Sequence, residues 1–312
     1  MRRANIISQM WYYKKRYACI GALLCCLLWG SAFPCIKTGY RIFGIDAGDT
    51  ASQILFAGCR FSMAGILVIL FGSILSRRVL LPGKQAVPKV LILSLFQTIL
   101  QYLFFYWGLA HASGVSSSII NGSGTFFAIL FAALLFRKEA LNMDKIFGML
   151  LGFFGVILVS TAGNSTGIAF RWNGEGFILI SSLCYAVSSV LIKIFGEKEN
   201  PVILSGYQFF TGGVVMTVWG TLSGGRLSVG SVSGAVLLLY LAFLSAAAYT
   251  LWGILLKYHP VSGVAIWGFC TPVFGVLLSA LFLNETENIN LFCLLALVFV
   301  SAGIYLVNRS EG

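Results

Sequence analysis

Charge is scarce in this chain. Asp, Glu, Lys and Arg make up 10% of its 312 residues, against roughly 25% in soluble domains. That is too few to cover the surface of a soluble protein of this length. Acidic residues number ten against 21 basic ones, and there are only two histidines, His111 and His259. The two are placed at opposite membrane faces, so the converging groups that an intramembrane enzyme needs are missing. No phosphate-binding loop occurs, and direct ATP drive is unsupported. The eight cysteines (Cys19, Cys25, Cys26, Cys35, Cys59, Cys184, Cys270 and Cys293) form no Cys-x-x-Cys pair and no Cys/His zinc spacing. They read as buried free thiols, with no metal and no cofactor. Gly163-Asn164-Ser165-Thr166-Gly167 matches the nucleophile-elbow pattern. That elbow requires a strand-turn-helix setting, whereas this stretch is a short connection between apolar runs, so the match reads as chance.

Hydrophobic residues make up 58% of the chain, with 35 Gly and 26 Phe. They gather into ten apolar segments, at about 18–43, 51–75, 88–110, 113–136, 143–163, 174–196, 201–222, 233–257, 261–283 and 288–308. Each is long enough to cross about 30 Å of hydrocarbon as a helix. The basic stretch before Ala18 followed by an apolar run resembles a signal peptide. The run continues to about Phe43, past a typical h-region, so it reads as the first membrane helix. The lipid bilayer is therefore one partner of the chain. The net charge of +11 does not indicate nucleic acid, because the basic residues sit in short clusters between the segments. Sixteen of the 21 fall on the side of the N-terminus, and three, Arg41, Arg171 and Arg226, fall on the other. The positive-inside rule then places both termini in the cytoplasm and the protein in the cytoplasmic membrane, multi-pass.

The two halves resemble each other. Gly58, Arg60-Phe61 and Gly65 in the second segment match Gly206, Gln208-Phe209 and Gly213 in the seventh. Trp29 and Lys37 match Tyr185 and Lys193, and His111 matches His259. Five helices is an odd number, so the second copy must enter the membrane from the opposite side, an arrangement many secondary transporters use. The expected architecture is all-α and integral to the membrane, with ten transmembrane helices as two inverted five-helix repeats. A basic tail spans 1–17, and the repeats span 18–163 and 174–308.

Trp29-Gly30-Ser31-Ala32-Phe33, Arg60-Phe61, Tyr249, Trp252, Pro272 with Glu285 thirteen residues on, and Gly303 together resemble the drug/metabolite transporter superfamily, in its EamA-type family. Glu139 and Gly155 repeat the last pattern in the first half. There Phe126 stands where a proline would match, with Gly122 and Gly124 as the substitutes for local unwinding. The resemblance implies a secondary transporter that moves a small organic metabolite by alternating access around a cavity formed by helices 1–4 and 6–9. An amino acid or related compound, exported, comes first among cargoes. Broad efflux of amphipathic compounds is the alternative, and a non-transporting receptor or scaffold is the rival outside that class.

Arg60 is the most informative residue. An Arg at the centre of a membrane helix is unfavourable by roughly 2.5–3.5 kcal/mol, so it must face protein or water. Its guanidinium suits a carboxylate of the cargo, and it could equally tie helices through their carbonyls. Lys37 and Lys193 read either as steering charges or as snorkelling helix-end lysines. Gln101, Asn121 and Gln208 could line the cavity or link helices. Trp29, Tyr185, Trp252 and Trp267 could wall a pocket or pack in the core. Gly148 and Gly152 form a Gly-x-x-x-Gly face that leaves a homodimer open. All ten acidic residues map to connections or tails. With no carboxylate in mid-membrane, a facilitator or exchanger is expected rather than a proton-driven pump.

Overall fold

A computed structural model describes residues 15–134, 142–161, 171–227, 231–259, 264, 267–268, 270–284 and 291–309. Arg2, Arg3, Lys14, Arg137, Lys138, Glu139, the 163–167 match, Glu285, Glu287 and Glu311 lie outside the described residues. The helices are α1 (Lys15–Phe43), α2 (Thr50–Leu75), α3 (Val87–His111), α4 (Gly114–Leu134) and α5 (Met143–Thr161) in the first half. The second half holds α6 (Trp172–Gly196), α7 (Pro201–Leu222), α8 (Val232–Tyr258), α9 (Cys270–Leu283) and α10 (Leu291–Arg309). Strands are absent among the described residues. Seven of the helices are long and apolar enough to cross a membrane. The protein is thus an all-helical, multi-pass membrane protein of ten helices.

Local chemistry starts and stops these helices. Asp49, Ser113, Asn200 and Ser231 each accept a hydrogen bond from a backbone N–H in the first turn of α2, α4, α7 and α8. Such caps satisfy donors that a helix start leaves free. Pro201 at the first position of α7 removes a donor that would be unpaired anyway. Gly44 follows α1 with φ of 64°, a left-handed conformation that glycine adopts at little cost.

Three helix pairs carry the architecture. α2 lies along α7 in the most extensive packing of the molecule. Gly58, Gly65 and Gly72 recur every seven residues on α2, and Gly206, Gly213 and Gly220 do so on α7. A Cβ on Gly58 or Gly65 would overlap the backbone at Thr217 or Phe210, and one on Gly72 would meet Val202. As residue number rises on α2 it falls on α7, so the pair is antiparallel. Without side chains on this seam the backbones close to contact, which is how membrane helices gain dispersion energy where lipid offers no hydrophobic drive. α4 and α9 pair in the same sense, Gly114 against Ser279 and Gly122 against Pro272. So do α5 and α10, where Gly303 sits over Gly148 and Gly152. The Gly-x-x-x-Gly face is therefore covered within the chain.

Each of these pairs joins a helix to its own copy in the other half. The remaining contacts come in matched sets: α1 on α8 and α6 on α3, α1 on α9 and α6 on α4, α2 on α8 and α7 on α3. These antiparallel pairs and matched contacts are those of a two-fold axis perpendicular to the helices. This is the inverted repeat.

Two irregularities lie near the centre. α4 is broken at Gly122, between Gly114–Asn121 and Ser123–Leu134, directly opposite Pro272. Ser118 Oγ donates to the Pro272 carbonyl at 3.0 Å and supplies a side-chain link at that crossing. α3 is π-helical over Ser94–Leu100, an i→i+5 arrangement that is often found at functional sites. At one end of the bundle Lys89 pairs with Glu199 at 2.5 Å. There Lys257 reaches the Glu199 carbonyl, and Lys193 reaches the carbonyls of Leu256 and His259. At the other end Arg226 N donates to Ser52 Oγ. The connections assigned to opposite membrane faces by charge do gather at opposite ends.

Candidate functional site

A cavity of about 60 Å³ lies where the two halves meet. α1 contributes Trp29, Ala32 and Phe33, α2 Arg60, and α3 Gln101, Tyr102 and Phe105. α4 adds Asn121, Gly122 and Thr125, α6 Tyr185, α8 Tyr249, and the α9 region Gly268, Thr271 and Pro272. Seven of the eight expected helices reach it. α7 does not, because Phe209 stands between: its ring stacks on Phe61 at 5.3 Å and meets Tyr249 edge-on at 5.1 Å.

Arg60 is 1% exposed near the middle of α2. Its Nε donates to Ser245 Oγ at 2.9 Å and to the Leu241 carbonyl at 3.2 Å. Its Nη1 donates to the Tyr106 hydroxyl at 3.0 Å. The guanidinium carbon lies 4.9 Å from the Phe61 ring centroid and 5.6 Å from that of Tyr102. Every one of these partners is neutral. The charge is spread over three hydrogen bonds and two ring faces, and no carboxylate among the described residues pairs with it. Three N–H groups of the fork are left without a protein acceptor among the described residues.

Other orphan groups lie beside it. The Gln101 amide donates from one end to Tyr249 OH at 3.1 Å, while its other end has no partner. Trp29 Nε1 and Thr271 Oγ1 are buried without a partner. Buried polar groups are normally satisfied, so three orphans plus a spare guanidinium edge around one cavity mark a place for a polar guest. Tyr249 is held by Tyr102 OH at 2.5 Å and by the Trp29 ring edge-on at 5.0 Å. Those contacts fix the aromatic wall.

Five of the ten residues weighed in the sequence line the cavity: Trp29, Arg60, Gln101, Asn121 and Tyr185. Five are placed elsewhere. Trp252 packs behind Trp29, with ring centroids 4.9 Å apart. Trp267 gives its carbonyl to Cys26 Sγ at 2.9 Å and lies beside the cavity wall rather than in it. Lys37 is half-buried on α1 outside the lining. Gln208 is fully buried between α7 and α3, accepting from Thr98 Oγ1 through its side chain and from Ser94 Oγ through its carbonyl. Lys193 caps the C-terminal carbonyls of α8, where a cation meets the negative end of the helix dipole.

Sequence reasoning did not select Tyr102, Phe105, Thr125 or Thr271, and named Phe33 and Tyr249 only through the family resemblance. Phe105 stands four residues from Gln101 and three from Tyr102, a neighbour of each on the helix surface. Tyr249 stands at the same offset from Gln101 as Gln208 from Arg60. Those two signals were present.

The fold agrees with what this chain is similar to. A protein of known crystal structure superposes over 96% of this chain and 100% of its own, with a TM-score of 0.69 at 16% identity, a likeness of fold. A WAT1-related chloroplastic protein of Arabidopsis thaliana is 25% identical over 91% of this chain and 67% of its own. An uncharacterized transporter of Archaeoglobus fulgidus is 26% identical over 91% and 95%. A protein of Escherichia coli named as a probable amino-acid metabolite efflux pump is 25% identical over 91% and 92%. The model of the EamA-like transporter family matches residues 16–161 and again 172–309, once in each half. The chain belongs to the EamA-like transporter family.

Proposed function

We propose that the protein exports a small carboxylate-bearing metabolite, an amino acid or close relative, from the cytoplasm, with Arg60 holding the carboxylate. The observation that carries this reading is a buried guanidinium with a free edge on a central cavity and no carboxylate among the described residues paired to it. A carboxylate there would make charge-assisted, bidentate hydrogen bonds in a site with room for only a few waters. Trp29 Nε1 could add a donor, and the free end of the Gln101 amide could meet an ammonium group. The name of the Escherichia coli relative points to the same cargo class.

At about 60 Å³ the cavity holds roughly four to six waters, far below the few hundred Å³ of an ordinary ligand pocket. Loading therefore requires the two halves to part. Opening alternately at the two ends of the two-fold-related bundle is alternating access. The positive-inside distribution supports the cytoplasmic membrane with both termini inside.

The test is uptake of a radiolabelled mixture of protein amino acids by liposomes holding the purified protein. Label should enter faster than into empty liposomes and equilibrate without exceeding the outside concentration. Equal rates with and without protein would defeat the reading. A second arm sets the mixture equal on both sides and imposes a pH step. Accumulation that collapses with a protonophore would overturn the expected independence from protons.

A further inference from the structure

We infer that the protein is an exchanger. It returns across the membrane much faster with a carboxylate in the site than empty, because no carboxylate among the described residues pairs with Arg60 and the cargo supplies one. This rests on the carboxylate reading above and adds a mode of transport that the reading leaves open.

The internal repeat serves as the control. Arg60 on α2 has Gln208 as its counterpart on α7, and both meet the equivalent helix of the other copy. Arg60 donates to Ser245 and Leu241 of α8. Gln208 accepts from Thr98 of α3 through its side chain, while its backbone carbonyl accepts from Ser94. One neutral side-chain hydrogen bond thus suffices at this crossing. The charge at Arg60 is surplus to that task, and Arg60 alone of the two lines the cavity.

Alternating access must pass through a form in which the site is closed to both sides and holds little water. The cavity described above is of that size. With the site empty, such a form confines a guanidinium with three neutral acceptors and a few waters. With the site loaded, the carboxylate completes the fork. This interaction is strongest where water is least. Binding energy gained mainly in the closed, transitional form lowers the barrier for the loaded carrier more than it stabilises either open form. The loaded carrier therefore crosses faster than the empty one.

The experiment preloads liposomes containing the full-length protein with the radiolabelled amino-acid mixture. Efflux is followed into buffer alone, into buffer with unlabelled amino acids, and into buffer with their carboxyamides. Unlabelled amino acids should accelerate efflux about tenfold or more over buffer, and the amides should not. Arg60→Gln, which installs the residue of the other repeat, should bring the exchange and buffer rates to within about twofold of each other. Protein-dependent efflux that is equally fast into buffer would overturn the exchange inference while leaving transport standing. So would acceleration by the amides, or an Arg60→Gln protein that keeps the wild-type ratio. No protein-dependent efflux in any arm would overturn the transport reading and this inference with it. The wild-type arms decide the matter even if Arg60→Gln does not fold.

Discussion

Gly65→Ala should unfasten the seam between α2 and α7. A Cβ at position 65 would fall on the Phe210 backbone nitrogen and Cα and on the Gly206 carbonyl oxygen. These are backbone atoms of a helix, so no rotamer change relieves the overlap and the two helices must separate. Overpacking of this kind costs about 1–3 kcal/mol. Gly253→Ala provides the contrast. Its Cβ would lie 3.6 Å from Pro201 Cβ and Ser205 Oγ, ordinary contact distances. Within a helix, replacing Gly by Ala gains about 0.5–1 kcal/mol, so this variant should be as stable as the wild type or more so. The same chemical change thus has opposite signs at two helix interfaces. Unfolding by SDS titration in mixed micelles, followed by the fluorescence of the seven tryptophans, reads both. Gly65→Ala should also impair transport, since Arg60 lies little more than a turn away on the displaced helix. Wild-type stability in Gly65→Ala would refute the seam, and equal destabilisation of both variants would refute the reasoning that separates them.

Arg60→Ala and Lys193→Ala should differ sharply. The first removes a buried charge on the cavity and should lower transport by at least about tenfold. The second removes only a helix-end cap worth under about 1 kcal/mol and should leave transport within about twofold. Comparable effects in liposome uptake would contradict the separate placements. Cysteines introduced at Arg78 and Arg171, in a background without native thiols, should react with an impermeant maleimide from opposite sides of the membrane. Labelling from one side would contradict the topology.

The ten segments were legible because a bilayer demands about twenty apolar residues per crossing. For nine of them the described helix begins and ends within three residues of the expected bounds. For the ninth segment, the continuous described helix opens at Cys270 rather than near 261. The inverted pairing was also present, in glycines spaced by seven at 58, 65 and 72 and again at 206, 213 and 220. Only part of that pattern entered the match between halves. The site was legible where a polar group stands in an apolar run, as Arg60, Gln101 and Asn121 do. Aromatic residues carry no such signal. In lipid, in a core and in a cavity wall they serve equally well, so Trp252 and Trp267 were indistinguishable from Phe33, Tyr102 and Phe105 until the helices were assembled. Gln208 shows the converse limit. A buried amide can link two helices through its oxygen alone, as Gln208 does to Thr98, and Phe209 stands between α7 and the cavity.

The account stands on Arg60 as the holder of a carboxylate. The most direct test is thermal unfolding of the purified protein against single amino acids and the matching carboxyamides. Ligand that binds only the folded form stabilises by about 2.7 kcal/mol at a hundred times its dissociation constant. At least one amino acid should therefore raise the melting temperature progressively with concentration. Its amide should not, and Arg60→Gln should abolish the shift while the unliganded protein still melts cooperatively. An amide that stabilises as well as its acid, or an Arg60→Gln protein that keeps the shift, would contradict the assignment.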